Sequence, residues 1–147
     1  MLPKWHILWG LIFALLFKIS VPQTPYLFIF FIWFASVFID FDHYLAAGIK
    51  NNDWRINKAL EHNYQKRDKI LNSRKRRDLC EKGDFHIFHT LECHLFIGII
   101  GIFFAPFFFI FIGMVLHSTL DIIWMVYHDV LKSREFFFFN HVRNLFF

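Results

Sequence analysis

The chain has only two cysteines, Cys80 and Cys93, and no Cys-x-x-Cys spacing. That excludes a disulfide framework and a zinc ribbon. Alanine is scarce. Charge is scarce too: 19% of the residues are Asp, Glu, Lys or Arg, and most of the basic ones fall in a single segment. The short stretches 20–25 and 105–107 carry no charged residue. A soluble domain of this size would distribute its apolar residues along amphipathic elements. Here they come in blocks, which excludes an ordinary soluble globule, and the low charge excludes overall disorder.

What is present is apolar bulk. Hydrophobic residues make up 56% of the chain and aromatics 22%, with 23 Phe. Phe, Ile, Asn and Lys are favoured by A+T-rich coding, so the Phe content reads as coding composition, not as an aromatic binding surface. The 147 residues leave room for one domain, 1–147. Crossing the hydrocarbon core takes about 20 apolar residues. Transmembrane helices are predicted over about 4–20, 26–48, 85–105 and 107–128, the first being short. One Lys, Lys4, precedes its apolar run and no small-residue cleavage site follows, so it reads as an uncleaved membrane helix. The expected fold is all-α: an integral membrane bundle of four transmembrane helices, in two hairpins joined by a charged loop, 49–84. A short helix is expected within 55–82.

Residues 50–84 hold 11 of the 16 Lys and Arg and 6 of the 12 Asp and Glu. Such a loop is short enough for the positive-inside rule, which puts it in the cytoplasm. With four spans both termini join it there, at the cell (inner) membrane. The partners expected are the lipid bilayer and a lipid or lipid-linked substrate. Nucleic acid is not expected, because the positive charge belongs to one loop. Lys18 is the exception at the other face, where it can snorkel to the interface.

This orientation places the ionisable residues of the apolar runs in one layer. His6, then Asp40, Asp42 and His43, then His86, His89, Glu92 and His94, then His117 and Asp121 all fall in cytoplasmic halves of their helices. Asp40, His94, His117 and Asp121 lie about 9–15 Å from the helix ends. Buried ionisable groups are costly in a membrane and turn towards the bundle interior. No Lys or Arg lies at that depth to neutralise the carboxylates. A divalent cation would, and His with Asp and Glu is the donor set of zinc, manganese or iron. Helical spacing supports convergence. His117 and Asp121 are i, i+4 and Asp40 and His43 are i, i+3. On a continuous third helix, His86, His89, Thr90, Cys93 and His94 would share about 140° of arc, with Glu92 beyond His89. His62, His128 and His141 read as structural or solvated.

These pieces resemble a known family. His6-x-x-x-Gly10, Asp40-Phe-Asp-His43, Phe85-His-Ile-Phe-His-Thr-Leu-Glu92 and His117-x-x-x-Asp121 are similar, in order and placement, to the membrane-bound predicted metal-dependent hydrolases, the small LexA-regulated inner-membrane group with its archaeal relatives. The likeness covers the membrane core and not loop 49–84. Ile39 stands where the family often has Pro, and the His86/His89 spacing departs from the family's box. Residue by residue, the resemblance points to His6, Asp40, Asp42, His43, His89, His117 and Asp121.

The expected activity is hydrolysis of an ester or phosphoester in a lipid or lipid-linked substrate at the cytoplasmic face. The expected metal ligands are drawn from His6, Asp40, His43, His86, His89, His117 and Asp121. Two metals are allowed, since these exceed one tetrahedral shell. Glu92 or Asp42 is the expected general base. The cofactor is a divalent metal ion, zinc first, with manganese or iron as alternatives. Rival readings are a structural metal site or ion path, a haem bundle using His94 and His117, and a di-iron bundle, which the lack of any His-His pair disfavours.

Overall fold

A computed structural model describes residues 3–73 and 83–146. The part of the charged loop from 74 to 82, with Cys80, lies outside the described residues. Among the described residues seven α-helices follow one another: α1 Pro3–Ser20, α2 Tyr26–Phe38, α3 Phe41–Asn51, α4 Ile56–Ser73, α5 Leu91–Phe103, α6 Ala105–Tyr127 and α7 Phe138–Phe146. Two short 3-10 turns, Ile87–His89 and Leu131–Ser133, complete them, and the described residues contain no strand. The all-α expectation holds. Two helical stretches are long and apolar enough to cross a membrane: Tyr26–Asn51, with 26 residues, and Ala105–Tyr127, with 23. The α5 helix, with 13 residues, covers about 20 Å.

Two boundaries differ from the sequence reading. The run 26–48 is interrupted at Ile39–Asp40 and ends at Asn51. Loop 49–84 carries the 18-residue helix α4, Ile56–Ser73, where a helix within 55–82 was expected. Residues 85–90 are not α-helical: His86 and Thr90 are extended around the 3-10 turn. The shared arc expected for His86, His89 and His94 therefore does not exist, because the α-helix starts only at Leu91.

The chain divides into two compact units, Met1–Ile39 with Glu92–Ile122, and Asp40–Leu91 with Ile123–Phe147. In the first unit Ala14, Ile29 and Ile32 form the buried core, with Phe13, Phe17, Trp33, Phe109 and Ile112 against them. Two glycines set the helix spacing. A Cβ on Gly10 would fall 2.0 Å from Ser36 Oγ, and one on Gly113 would fall 2.3 Å from the Ile32 carbonyl oxygen. Small residues at such crossings let helix backbones approach closely. Lys18 donates to the carbonyls of Pro22 at 2.5 Å and Thr24 at 2.7 Å and lies 4.4 Å from the Tyr26 ring centre. Its charge closes the α1–α2 turn.

In the second unit α3 ends on Asn52, in the left-handed region at φ 49, with the Asp53 N–H returned to Gly48 O. Asn tolerates that conformation where branched residues do not. Asp84 ties the segment before His86 to both neighbouring helices, accepting from Lys50 at 2.7 Å and His62 at 2.8 Å. Burial raises the Asp84 pKa, but those two hydrogen bonds and the nearby lysine charges outweigh it and hold it below the usual carboxylate value.

Candidate metal centre

Each unit gathers its own ionisable group. The larger is in the second unit, on the first turn of α3 and the segment around the 3-10 turn. Asp40 precedes α3 but makes no side-chain capping bond. Its Oδ1 lies instead 3.5 Å from His43 Nε2 and 3.8 Å from His89 Nε2. Asp42 reaches across to the histidine segment. Its Oδ2 accepts the backbone N–H of Phe88 and the Nδ1–H of His89, both at 3.0 Å. The first bond takes the Phe88 N–H away from any local helix, and the second fixes the His89 tautomer, leaving Nε2 as the lone-pair nitrogen.

The other Asp42 oxygen is the more informative. Asp42 Oδ1 and His86 Nδ1 lie 3.7 Å apart. Both are buried, and neither has a hydrogen-bond partner among the described residues. Burying such atoms unpaired is costly. A separation of 3.7 Å is too long for a hydrogen bond, but it is close to the edge of a tetrahedral zinc site, about 3.4 Å for donors about 2.05 Å from the ion. The His43 ring centre is 3.7 Å from that of His86 and 5.1 Å from that of His89. Two donor triplets result, Asp40–His43–His89 and Asp42–His43–His86, each with its donor atoms within 4.8 Å of one another. Both triplets could hold a metal ion, and His43 belongs to both. The site opens on one side: the side chains of His43 and Asp40 are 27% and 16% exposed, against 1% for His89 and 4% for Asp42.

The first unit gathers His6, His117 and Asp121. His6 Nε2 lies 3.2 Å from Asp121 Oδ1 and His117 Nε2 lies 3.6 Å from Asp121 Oδ2. The two imidazoles stack with centres 3.7 Å apart. His117 Nδ1–H donates to the Ser36 carbonyl at 2.7 Å, which fixes its tautomer as Asp42 fixes that of His89. His6 Nδ1 is buried without a hydrogen-bond partner among the described residues. Gly10, four residues on from His6, makes room for Ser36; the His6-x-x-x-Gly10 spacing thus combines a donor with the space for its neighbour's support.

Other residues singled out in the sequence have other surroundings. His94 Nε2 lies 3.2 Å from the Met114 carbonyl and 2.9 Å from Ser118 Oγ, a helix-to-helix contact. His62 binds Asp84, His128 meets the edge of Trp124, and His141 stacks on Phe85. Glu92, in the first turn of α5, belongs to no donor triplet among the described residues. Two contributors were not anticipated: the Phe88 N–H and the Ser36 carbonyl. Backbone groups leave no signal in residue type.

No protein-family model, no curated protein and no solved structure matches the chain.

Proposed function

We propose that this protein is a membrane-embedded, metal-dependent hydrolase whose metal centre is built from Asp40, Asp42, His43, His86 and His89. Its substrate is an ester or phosphoester of a lipid or lipid-linked molecule, met at the cytoplasmic face of the cell membrane. The observation that carries this reading is the buried, unpartnered pair Asp42 Oδ1 and His86 Nδ1, 3.7 Å apart beside His43. A cation between them would satisfy both atoms. Zinc suits a His/Asp set, and a bound ion of this kind lowers the pKa of its water to about 7. The exposed His43 and Asp40 side would admit substrate.

The membrane placement rests on two helices of sufficient length, a periphery of exposed Trp, Leu, Ile and Phe and the basic loop. In this reading α1 and α5 supply the remaining spans, and both termini are cytoplasmic. The short motifs shared with membrane-bound metal-dependent hydrolases agree with it. His6 Nε2 and His117 Nε2, each beside a different oxygen of Asp121, would offer donors to a second ion there.

Elemental analysis of detergent-purified protein is the test. The wild type should hold metal at one or two ions per chain, and His86→Ala and His43→Ala should each lose one. Wild-type protein free of metal after purification and after dialysis against zinc would overturn the proposal.

A further inference from the structure

Helix α4 presents three sides, and the fold accounts for two of them. On one side α4 packs on α3. Ala59 is buried there, and His62 is bonded to Asp84. Ile70 faces Gly83, whose N–H donates to the Ser133 carbonyl at 2.8 Å. A second side, with Lys58, Gln65, Lys69 and Asn72, is exposed and polar, as a solvated helix face is. The third side is neither packed nor polar. Ile56, Leu60 and Tyr64 recur at i, i+4 and i+8 and so form one stripe, about 150° round the helix from the polar side. Together with Trp54, just ahead of the helix, each is between 40% and 67% exposed. An exposed apolar patch rimmed by polar residues marks a binding surface.

The place of the stripe in the chain bears on what covers it. The apolar stretch Tyr26–Asn51 is long enough to cross a membrane, and only residues 52–55 separate it from α4. The chain turns back at its end, on left-handed Asn52 and the bond from Asp53 N–H to Gly48 O. The Trp54 ring lies over Gly48, where a Cβ would fall 2.6 Å from Trp54 Cε3, and the Trp54 carbonyl accepts from the Tyr44 hydroxyl at 2.6 Å. Half-exposed Trp54 is thus held level with the last turns of the stretch, and the stripe begins two residues on. Where such a stretch spans, its end lies among the lipid headgroups, the level at which Trp and Tyr are enriched. Charge points the same way. Helix α4 carries four basic and two acidic side chains, and the Arg67 guanidinium lies 6.0 Å from the Tyr64 ring centre. A basic helix with an apolar stripe complements an anionic lipid surface. A second copy of the chain would instead set this basic segment against itself.

We propose that α4 is an in-plane, lipid-binding helix. It seats Trp54, Ile56, Leu60 and Tyr64 among the anionic headgroups of the leaflet at which Tyr26–Asn51 ends, and it keeps Lys58, Gln65, Lys69 and Asn72 in water. The proposal rests on the membrane placement above and is independent of the metal.

The test uses the full chain, with Cys80 and Cys93 replaced by serine, in lipid nanodiscs that leave both faces open to solvent. The lipid is phosphatidylcholine with or without phosphatidylglycerol. A fluorophore is attached at Leu60→Cys or Lys58→Cys and quenched by aqueous iodide or by a lipid-borne nitroxide. With phosphatidylglycerol present, Leu60→Cys should lose most of its iodide quenching and respond to the nitroxide, and Lys58→Cys should do the reverse. Tyr64→Cys should match Leu60→Cys, and it carries the test if Leu60→Cys does not fold. Phosphatidylglycerol should favour the seated helix by about fivefold or more, from about 1 kcal/mol for each basic side chain at an anionic surface. Equal seating in both lipids would overturn the part played by charge. Equal iodide quenching at Leu60→Cys and Lys58→Cys would overturn the proposal. So would shielding of Leu60→Cys without nitroxide quenching, which would mean that protein covers the stripe. A chain that resists alkaline extraction from membranes yet leaves the stripe open to iodide brings down this proposal alone. A chain released by alkaline extraction brings down the membrane placement with it.

Discussion

Asp42 Oδ2 accepts the Nδ1–H of His89 at 3.0 Å, and this bond turns His89 Nε2 towards Asp40, 3.8 Å away. One carboxylate thus orients a donor of one triplet while its other oxygen belongs to the second triplet. Removing a residue that only orients a ligand costs about 10–100-fold in metal affinity. Asp42→Asn should cost more than that, because it alters a donor and an orienting group together. Competition against a chelator of known affinity measures it, and a loss under tenfold would show that Asp42 is neither.

His43 is the residue common to both triplets. Its loss should weaken binding more than that of His86 or His89 alone. Groups that serve one ion are strongly non-additive, so His43→Ala/His86→Ala should be little worse than His43→Ala. Metal titration of the three variants decides this. Additive losses would mean that the two side chains act separately.

The helix crossings of the first unit give a ranked pair. A Cβ at Gly113 meets the Ile32 carbonyl oxygen at 2.3 Å, and a Cβ at Gly10 meets Ser36 Oγ at 2.0 Å. The serine hydroxyl can rotate away, but a helix carbonyl cannot. Overpacking typically costs about 1–3 kcal/mol, so Gly113→Ala should lie at the upper end and Gly10→Ala at the lower. Thermal unfolding in one detergent should order them so. Gly10→Ala/Ser36→Ala should recover part of the Gly10→Ala loss.

Asn72 is exposed in the last turn of α4. In a chain with Cys80 and Cys93 replaced, Asn72→Cys should react with a membrane-impermeant thiol reagent only when the cytoplasmic side is opened. Labelling in intact cells would reverse the orientation, and with it the face at which substrate is met.

The helical content was legible in the apolar runs, since long apolar segments have few alternatives in lipid. The metal-binding residue types were legible in their isolation among apolar neighbours. The course of 85–90 was not. Phe88 gives its N–H to Asp42, 46 residues away in sequence, and Leu91 gives its N–H to Phe136. These long-range acceptors replace the helix's own carbonyls, and hydropathy cannot register the exchange. A local trace did exist: Thr90, extended at ψ 149, precedes Leu91 and acidic Glu92, the usual signature of a helix start. Asp40 before Phe41 is a similar mark, although its carboxylate turns to His43 and His89 and leaves the cap unmade. In both places a residue suited to ending one helix and starting the next serves the donor group as well.

The bonds from Gly83 to Ser133 and from Leu91 to Phe136 also set an order of events during synthesis. Protein chains emerge from the ribosome N-terminal end first. The histidine segment is made long before residues 133–136, and until those arrive its Gly83 and Leu91 N–H groups lack their acceptors. A nascent chain halted before Ser133 would carry every donor of both triplets, yet without the brace that aligns two of its imidazoles. In the proposed reading, ion uptake at this centre would wait for the synthesis of residues 133–136.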